Sequence, residues 1–196
     1  MAGRTVRQRT EADANDPLVI DSRSLTRQPG SSDVRTAEFP VPEKVGNDVA
    51  WVEPGALARL RILLESVLDG ILVTADGVVG ARGECVRCLE PLKWDQEISF
   101  RQFFTYPGVG DGAGDDEAED VAEMHGDLMD VRPAFHDAVV LALPLTPLCR
   151  PDCAGLCAEC GFKLADDPQH RHTKIDPRWS ALAGLPEAGS QVKESD

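Results

Sequence analysis

The stretch Ile71-Leu-Val-Thr-Ala-Asp-Gly-Val-Val-Gly-Ala-Arg-Gly-Glu-Cys-Val86 decides the fold. Ile71-Leu-Val-Thr74 is apolar and β-branched at its ends, Asp76-Gly77 is a strong signal for a two-residue hairpin turn, and residues 78–86 read as the returning strand. This reading settles the segment before it. There Leu60, Ile62 and Leu64 alternate with Arg59, Arg61 and Leu63, which is period two, although Leu57, Leu60, Leu64 and Val67 also fit helical spacing. A neighbouring hairpin favours the strand. Residues 94–106 supply one more strand, with Trp94, Ile98 and Phe100 on its buried face. The expectation is an antiparallel meander of three or four strands. Pro17-Leu-Val-Ile20 and residues 37–41 are shorter strand candidates, separated by a turn at Gln28-Pro-Gly-Ser-Ser32.

A helix follows the strands. Asp130 reads as its N-cap and Pro133 lies in its first turn, while Phe135, Val139 and Ala142 fall on one face before Pro144 ends it. The fold class is therefore α+β: an antiparallel meander with one packed helix and a small zinc-stapled C-terminal element. The expected organisation is a disordered tail at 1–16, an α+β domain at 17–148, a zinc-binding element at 149–185 and a frayed tail at 186–196. The α+β domain contains a mobile acidic loop at 108–127. Asp176-Pro177 begins a short helix carrying Trp179, Leu182 and Leu185.

The chain has 196 residues and a formal charge of −14, which opposes extensive phosphate binding. The charge is unevenly spread. Residues 111–130 hold nine acidic side chains and no Lys or Arg, so the remainder carries only −5, with a basic start at Arg4, Arg7 and Arg9. The longest apolar run, 138–143, has six residues, far short of the roughly eighteen needed to span a bilayer. No hydrophobic segment follows the N-terminal charges, so the expected location is cytoplasmic.

Chemistry concentrates in Cys149-Arg-Pro-Asp-Cys153-Ala-Gly-Leu-Cys157-Ala-Glu-Cys160-Gly161, which places four of the six cysteines within twelve residues. That density in a chain without a secretory signal points to zinc, which takes four soft or borderline ligands in a tetrahedron. In Cys157-Ala-Glu-Cys160-Gly161 the glycine permits a positive φ that turns amide N–H groups toward the sulfurs. Cys149 and Cys153 complete an all-thiolate and therefore structural site; His170 and His172 are the alternative partners of Cys157 and Cys160. The four-cysteine set is preferred, because the cysteines are closer in sequence and thiolates bind more tightly. Cys85-Val-Arg-Cys88 lies at a strand end, away from the helix N-terminus that redox chemistry favours, and reads first as a tight turn with two small thiols; a second metal half-site, whose partners would have to come from elsewhere in the chain, is the alternative. Arg82, Arg87, Lys93 and Arg101 around it are matched by Glu84, Glu90, Asp95 and Glu97. His125 and His136 read as surface or capping residues. No nucleophile elbow, phosphate-binding glycine loop or metalloprotease helix is present, so no enzyme is expected.

Four stretches together resemble the bacterial large ribosomal RNA subunit accumulation proteins, the YceD type. They are Gly83-Glu-Cys-Val-Arg-Cys-Leu-Glu-Pro91, Asp137-Ala-Val-Val-Leu-Ala-Leu-Pro-Leu-Thr-Pro-Leu-Cys149, Asp152-Cys-Ala-Gly-Leu-Cys-Ala-Glu-Cys-Gly161 and Ile175-Asp-Pro-Arg-Trp179. The resemblance spans about residues 17–185 and is nearest to the family's cysteine-rich branch. It implies a factor for synthesis, processing or stability of 23S rRNA, with a large-subunit rRNA precursor or a ribosomal assembly protein as partner. His170-x-His172 stands where cysteine-rich relatives have a C-x-C pair, which keeps the histidine ligand set open. Composition by itself favours a different function, a zinc-stapled protein interaction module unrelated to RNA. A thiol oxidoreductase using Cys85 and Cys88 is the third reading.

Overall fold

A computed structural model describes residues 16–109, 122–172 and 178. The expected tail before residue 16, the helix expected around Trp179, Leu182 and Leu185, and the tail at 186–196 lie outside the described residues. The chain divides into two compact units, Met1–Cys153 and Ala154–Asp196. Cys149 and Cys153, which the sequence assigned to the C-terminal element, fall within the first unit.

Period two prevails in β5 (Leu57–Val67), where Ala58, Leu60, Ile62, Leu64 and Ser66 are buried and Leu57, Arg59 and Arg61 are exposed. A helix would have put Leu57 on the same face as Leu60, whereas the pleat puts them on opposite faces. β5 turns through Leu68 and Asp69 into β6 (Gly70–Glu84), pairing Val67 with Gly70. This corrects the hairpin expected at Asp76-Gly77, which lies in the middle of a continuous 15-residue strand. Asp76 sits between Arg61 and Ser99 in the sheet, and Gly77 between Leu60 and Ile98. Gly77 is needed for close backbone approach: a Cβ there would lie 2.0 Å from the Arg59 carbonyl oxygen.

β7 (Pro91–Thr105) runs antiparallel along the full length of β6, with Trp94, Ile98, Phe100 and Phe104 on the core side. The other edge of β6 is shared by β5, from Gly70 to Val79, and β4 (Ala50–Val52), at Arg82 and Gly83. β2 (Ser32–Pro40) extends the sheet beyond β5, and β3 (Val45–Gly46) beyond β4. The expected β5–β6–β7 meander is thus the centre of a seven-stranded sheet that includes β8 (Ala122–Glu123), paired parallel to β7. β1 (Val19–Asp21) and β9 (Leu128–Asp130) form a separate two-stranded sheet.

The far end of the acidic segment is therefore ordered. Residues 122–127, expected in the mobile loop, contribute β8 and the buried Met124, which is 2% exposed; residues 110–121 lie outside the described residues. The helix α1 spans Arg132–Ala142, with Phe135 and Val139 buried and Ala142 packed against the core. Its N-cap is Val131, one residue after the expected Asp130, but the Asp130 carboxylate still accepts the Arg132 N–H at 3.0 Å. Phe135 meets Phe39 edge-on at 5.7 Å, tying α1 to the sheet. No helix among the described residues is long and apolar enough to cross a membrane.

Candidate metal centres

At the end of β6 the chain leaves the sheet through Cys85-Val86-Arg87-Cys88-Leu89. The Leu89 N–H donates to the Cys85 carbonyl at 2.8 Å, and the Cys85 N–H donates to the Glu90 carbonyl at 2.9 Å. Leu89 adopts φ 58°. In the second unit the same two hydrogen bonds recur. Gly161 N–H donates to the Cys157 carbonyl at 2.8 Å, Cys157 N–H donates to the Phe162 carbonyl at 2.7 Å, and Gly161 has φ 71°. The positive φ expected of Gly161 is found, and a leucine achieves it in the first turn.

The cysteines assemble into two groups. Cys85, Cys88, Cys149 and Cys153 form one, and Cys157, Cys160, His170 and His172 the other; within each, one donor atom per residue lies within 4.8 Å of the rest. The expected set of Cys149, Cys153, Cys157 and Cys160 is thus divided. Cys149 and Cys153 pair with the turn read as two small thiols, and the histidines considered as alternatives take their place beside Cys157 and Cys160. The missed signal was the repeated C-x-x-C spacing, because Leu89 hid the kinship that Gly161 displays.

The first group joins parts of the chain more than sixty residues apart. Val86 N–H donates to the Pro147 carbonyl at 3.0 Å, and the Arg87 guanidinium donates to the Cys153 carbonyl at 2.9 Å. Cys85 lies 3.8 Å from Cys153 and Cys88 3.6 Å from Cys149, sulfur to sulfur. Those separations exceed a disulfide bond of about 2.0 Å and match the roughly 3.8 Å between thiolates placed about 2.3 Å from a tetrahedral metal. All six cysteines are free thiols.

Burial pushes the Cys149 thiol up to about 12, and the adjoining thiols of Cys153, Cys88 and Cys85 act in the same direction. Burial opposes ionisation of Cys85 too, but N–H groups of Cys149, Cys88 and Arg87 directed at its sulfur prevail and bring it down to about 6. The Glu90 N–H favours the Cys88 thiolate; burial and the Cys85 and Cys153 thiols outweigh it and hold that thiol above its usual value. A cation bound between these sulfurs would favour their thiolate forms.

In the second group the amides of Cys160 and Glu159 point at the Cys157 sulfur and lower its thiol below the usual value. Cys160 Sγ lies 3.3 Å from His170 Nε2 and 3.1 Å from His172 Nε2. Both histidines therefore present the same ring nitrogen to the cysteines. Each group can hold a metal ion.

Residues 74–186 match the family of large ribosomal RNA subunit accumulation protein YceD. An uncharacterised protein of Mycobacterium tuberculosis is 38% identical over 171 residues, which cover 86% of this chain and 81% of its own. An uncharacterised protein of Mycobacterium leprae is 34% identical over 169 residues, covering 86% of this chain and 77% of its own. No solved structure matches the chain.

Proposed function

The chain belongs to the large ribosomal RNA subunit accumulation protein YceD family, and from that premise we propose that it is a non-enzymatic biogenesis factor supporting the synthesis, processing or stability of 23S rRNA. The family match carries this reading. Its partner is a large-subunit rRNA precursor or a ribosomal assembly protein, met in the cytoplasm. A chain at −14 gains little from neutralising phosphates, so contact with a precursor is confined to limited basic surface or to a basic protein.

We assign zinc to the group of Cys85, Cys88, Cys149 and Cys153. Four thiolates with no open position suit a structural zinc, and the sulfur separations of 3.6 and 3.8 Å support it. The ion would clamp the end of β6 to the segment after α1, replacing cohesion that a larger core would otherwise supply.

Depletion of the protein, followed by gradient fractionation and immunoblotting, tests the role. The expected result is a lower ratio of 23S to 16S rRNA, accumulation of large-subunit precursors, and sedimentation of the protein with those precursors. An unaltered ratio with no protein in precursor fractions would overturn the ribosomal reading and leave the zinc-stapled interaction module, which the acidity of the chain favours.

A further inference from the structure

We propose that Cys157, Cys160, His170 and His172 form a second zinc centre, distinct from the first and exchangeable with zinc in solution. This rests on the assignment of zinc to the first group and extends it to a site with different chemistry. Two sulfurs and two imidazole nitrogens are a recurrent tetrahedral set for zinc, and borderline divalent ions such as cobalt and cadmium fit the same donors.

The ligands are positioned rather than merely near. The turn at Cys157 repeats the hydrogen bonds of the turn at Cys85, so both cysteine pairs are held by the same backbone geometry. The Phe162 ring stacks on His170 with centroids 4.5 Å apart and planes at 22°. Asp167 supports the segment before it: its side chain accepts the Gln169 N–H at 2.9 Å and its carbonyl accepts the His170 N–H at 3.1 Å. On His172 the Glu159 carboxylate lies 3.8 Å from Nδ1, on the side of the ring away from the cysteines. Nε2 faces the cysteines, 3.1 Å from Cys160 Sγ.

Exchangeability follows from exposure and connectivity. In the first group Cys85, Cys88 and Cys153 are 0%, 8% and 4% exposed and only Cys149 reaches the surface, so an incoming chelator meets one ligand of the four. In the second, Cys160 and His172 are exposed, and an attacking ligand reaches the ion directly. The first group bridges β6 to a segment beyond α1, whereas all four donors of the second fall between residues 157 and 172 within one unit. Losing the second ion therefore costs only the local order of that short segment. The first group offers four thiolates and the second two thiolates with two imidazoles, which favours tighter zinc binding in the first. The consequence is an element whose folding follows zinc supply while the sheet unit stays intact.

Metal analysis of the full-length chain, purified with zinc and without chelator, tests this directly. Two zinc ions per chain are expected, falling to one after dialysis against EDTA. The double variant Cys157→Ser with Cys160→Ser should hold one zinc that EDTA does not remove, and that retained ion reports that the first unit is folded. His170→Ala with His172→Ala should also hold one. Cobalt substitution adds a spectroscopic check: the resistant ion should show charge-transfer intensity for four thiolates and the released ion for two. A single EDTA-resistant zinc in the unaltered chain, or two ions retained without both histidines, would overturn the second centre. Two ions leaving together at one rate would overturn its exchangeability. No zinc at all would instead defeat the assignment of the first group, and this proposal with it.

Discussion

Leu89 and Gly161 occupy equivalent positions in two cysteine turns, each donating its N–H to the first cysteine's carbonyl at 2.8 Å and each with positive φ, 58° and 71°. The conformation costs a side-chain-bearing residue about 1 kcal/mol or more and glycine almost nothing. Leu89 is 60% exposed, so little packing compensates it. Leu89→Gly should therefore leave thermal stability equal or slightly raised, whereas Gly161→Leu should weaken metal retention in the second group by roughly fivefold, corresponding to about 1 kcal/mol. Competitive chelation with a zinc indicator measures the second effect.

Two glycines of β6 should respond oppositely to the same substitution. A Cβ at Gly77 would lie 2.0 Å from the Arg59 carbonyl oxygen, whereas one at Gly80 meets nothing within 4 Å. Gly77→Ala forces the β5 and β6 backbones apart and should cost about 2–3 kcal/mol. Gly80→Ala should be neutral or stabilising by up to about 1 kcal/mol, because it restricts the unfolded chain. Urea unfolding of the two variants checks the contrast.

Asp130 gives the entry to α1 a pH dependence. Burial acts to raise its carboxyl, but hydrogen bonds from the Arg132 side chain and N–H outweigh that and hold it below the usual carboxylate range. Because the folded value is depressed, this contribution is fully present above the unfolded value near about 3.9 and is lost as pH falls through the folded value. Asp130→Ala should cost about 1–2 kcal/mol at pH 7. Its deficit relative to the unaltered chain should shrink below about pH 4, as stability measured from pH 7 to 3 would show.

X-ray absorption on chain saturated with zinc distinguishes the ligand sets without mutation. Six cysteines and two histidines shared between two ions average to three sulfurs and one nitrogen per zinc. A spectrum fitted by four sulfurs alone would remove the histidines from the ligand set.

The sequence by itself determined what contiguous residues encode. Alternation in residues 57–64, read beside the β-branched segment that follows, pointed to a strand, although the same leucines also fit helical spacing. Pro133, Phe135 and Val139 specified α1, and Cys157-Ala-Glu-Cys160-Gly161 specified a turn, since both are built from bonds spanning a few residues. The family also lay within reach of four short motifs. Long-range pairing decided the rest. Asp76-Gly77 carries a local hairpin signal, yet β7 pairs with β6 on both sides of it, from Gly70 to Glu84, and that uninterrupted ladder outweighs one turn preference. The division of the cysteines was equally hidden: Cys88 meets Cys149 across 61 residues and Cys85 meets Cys153 across 68. Spacing along the chain made Cys149 and Cys153 the nearer partners of Cys157 and Cys160. The sheet carries Cys85 and Cys88 to the segment after α1, where the Val86 and Arg87 hydrogen bonds fix them, and only that packing determines which thiols share a site.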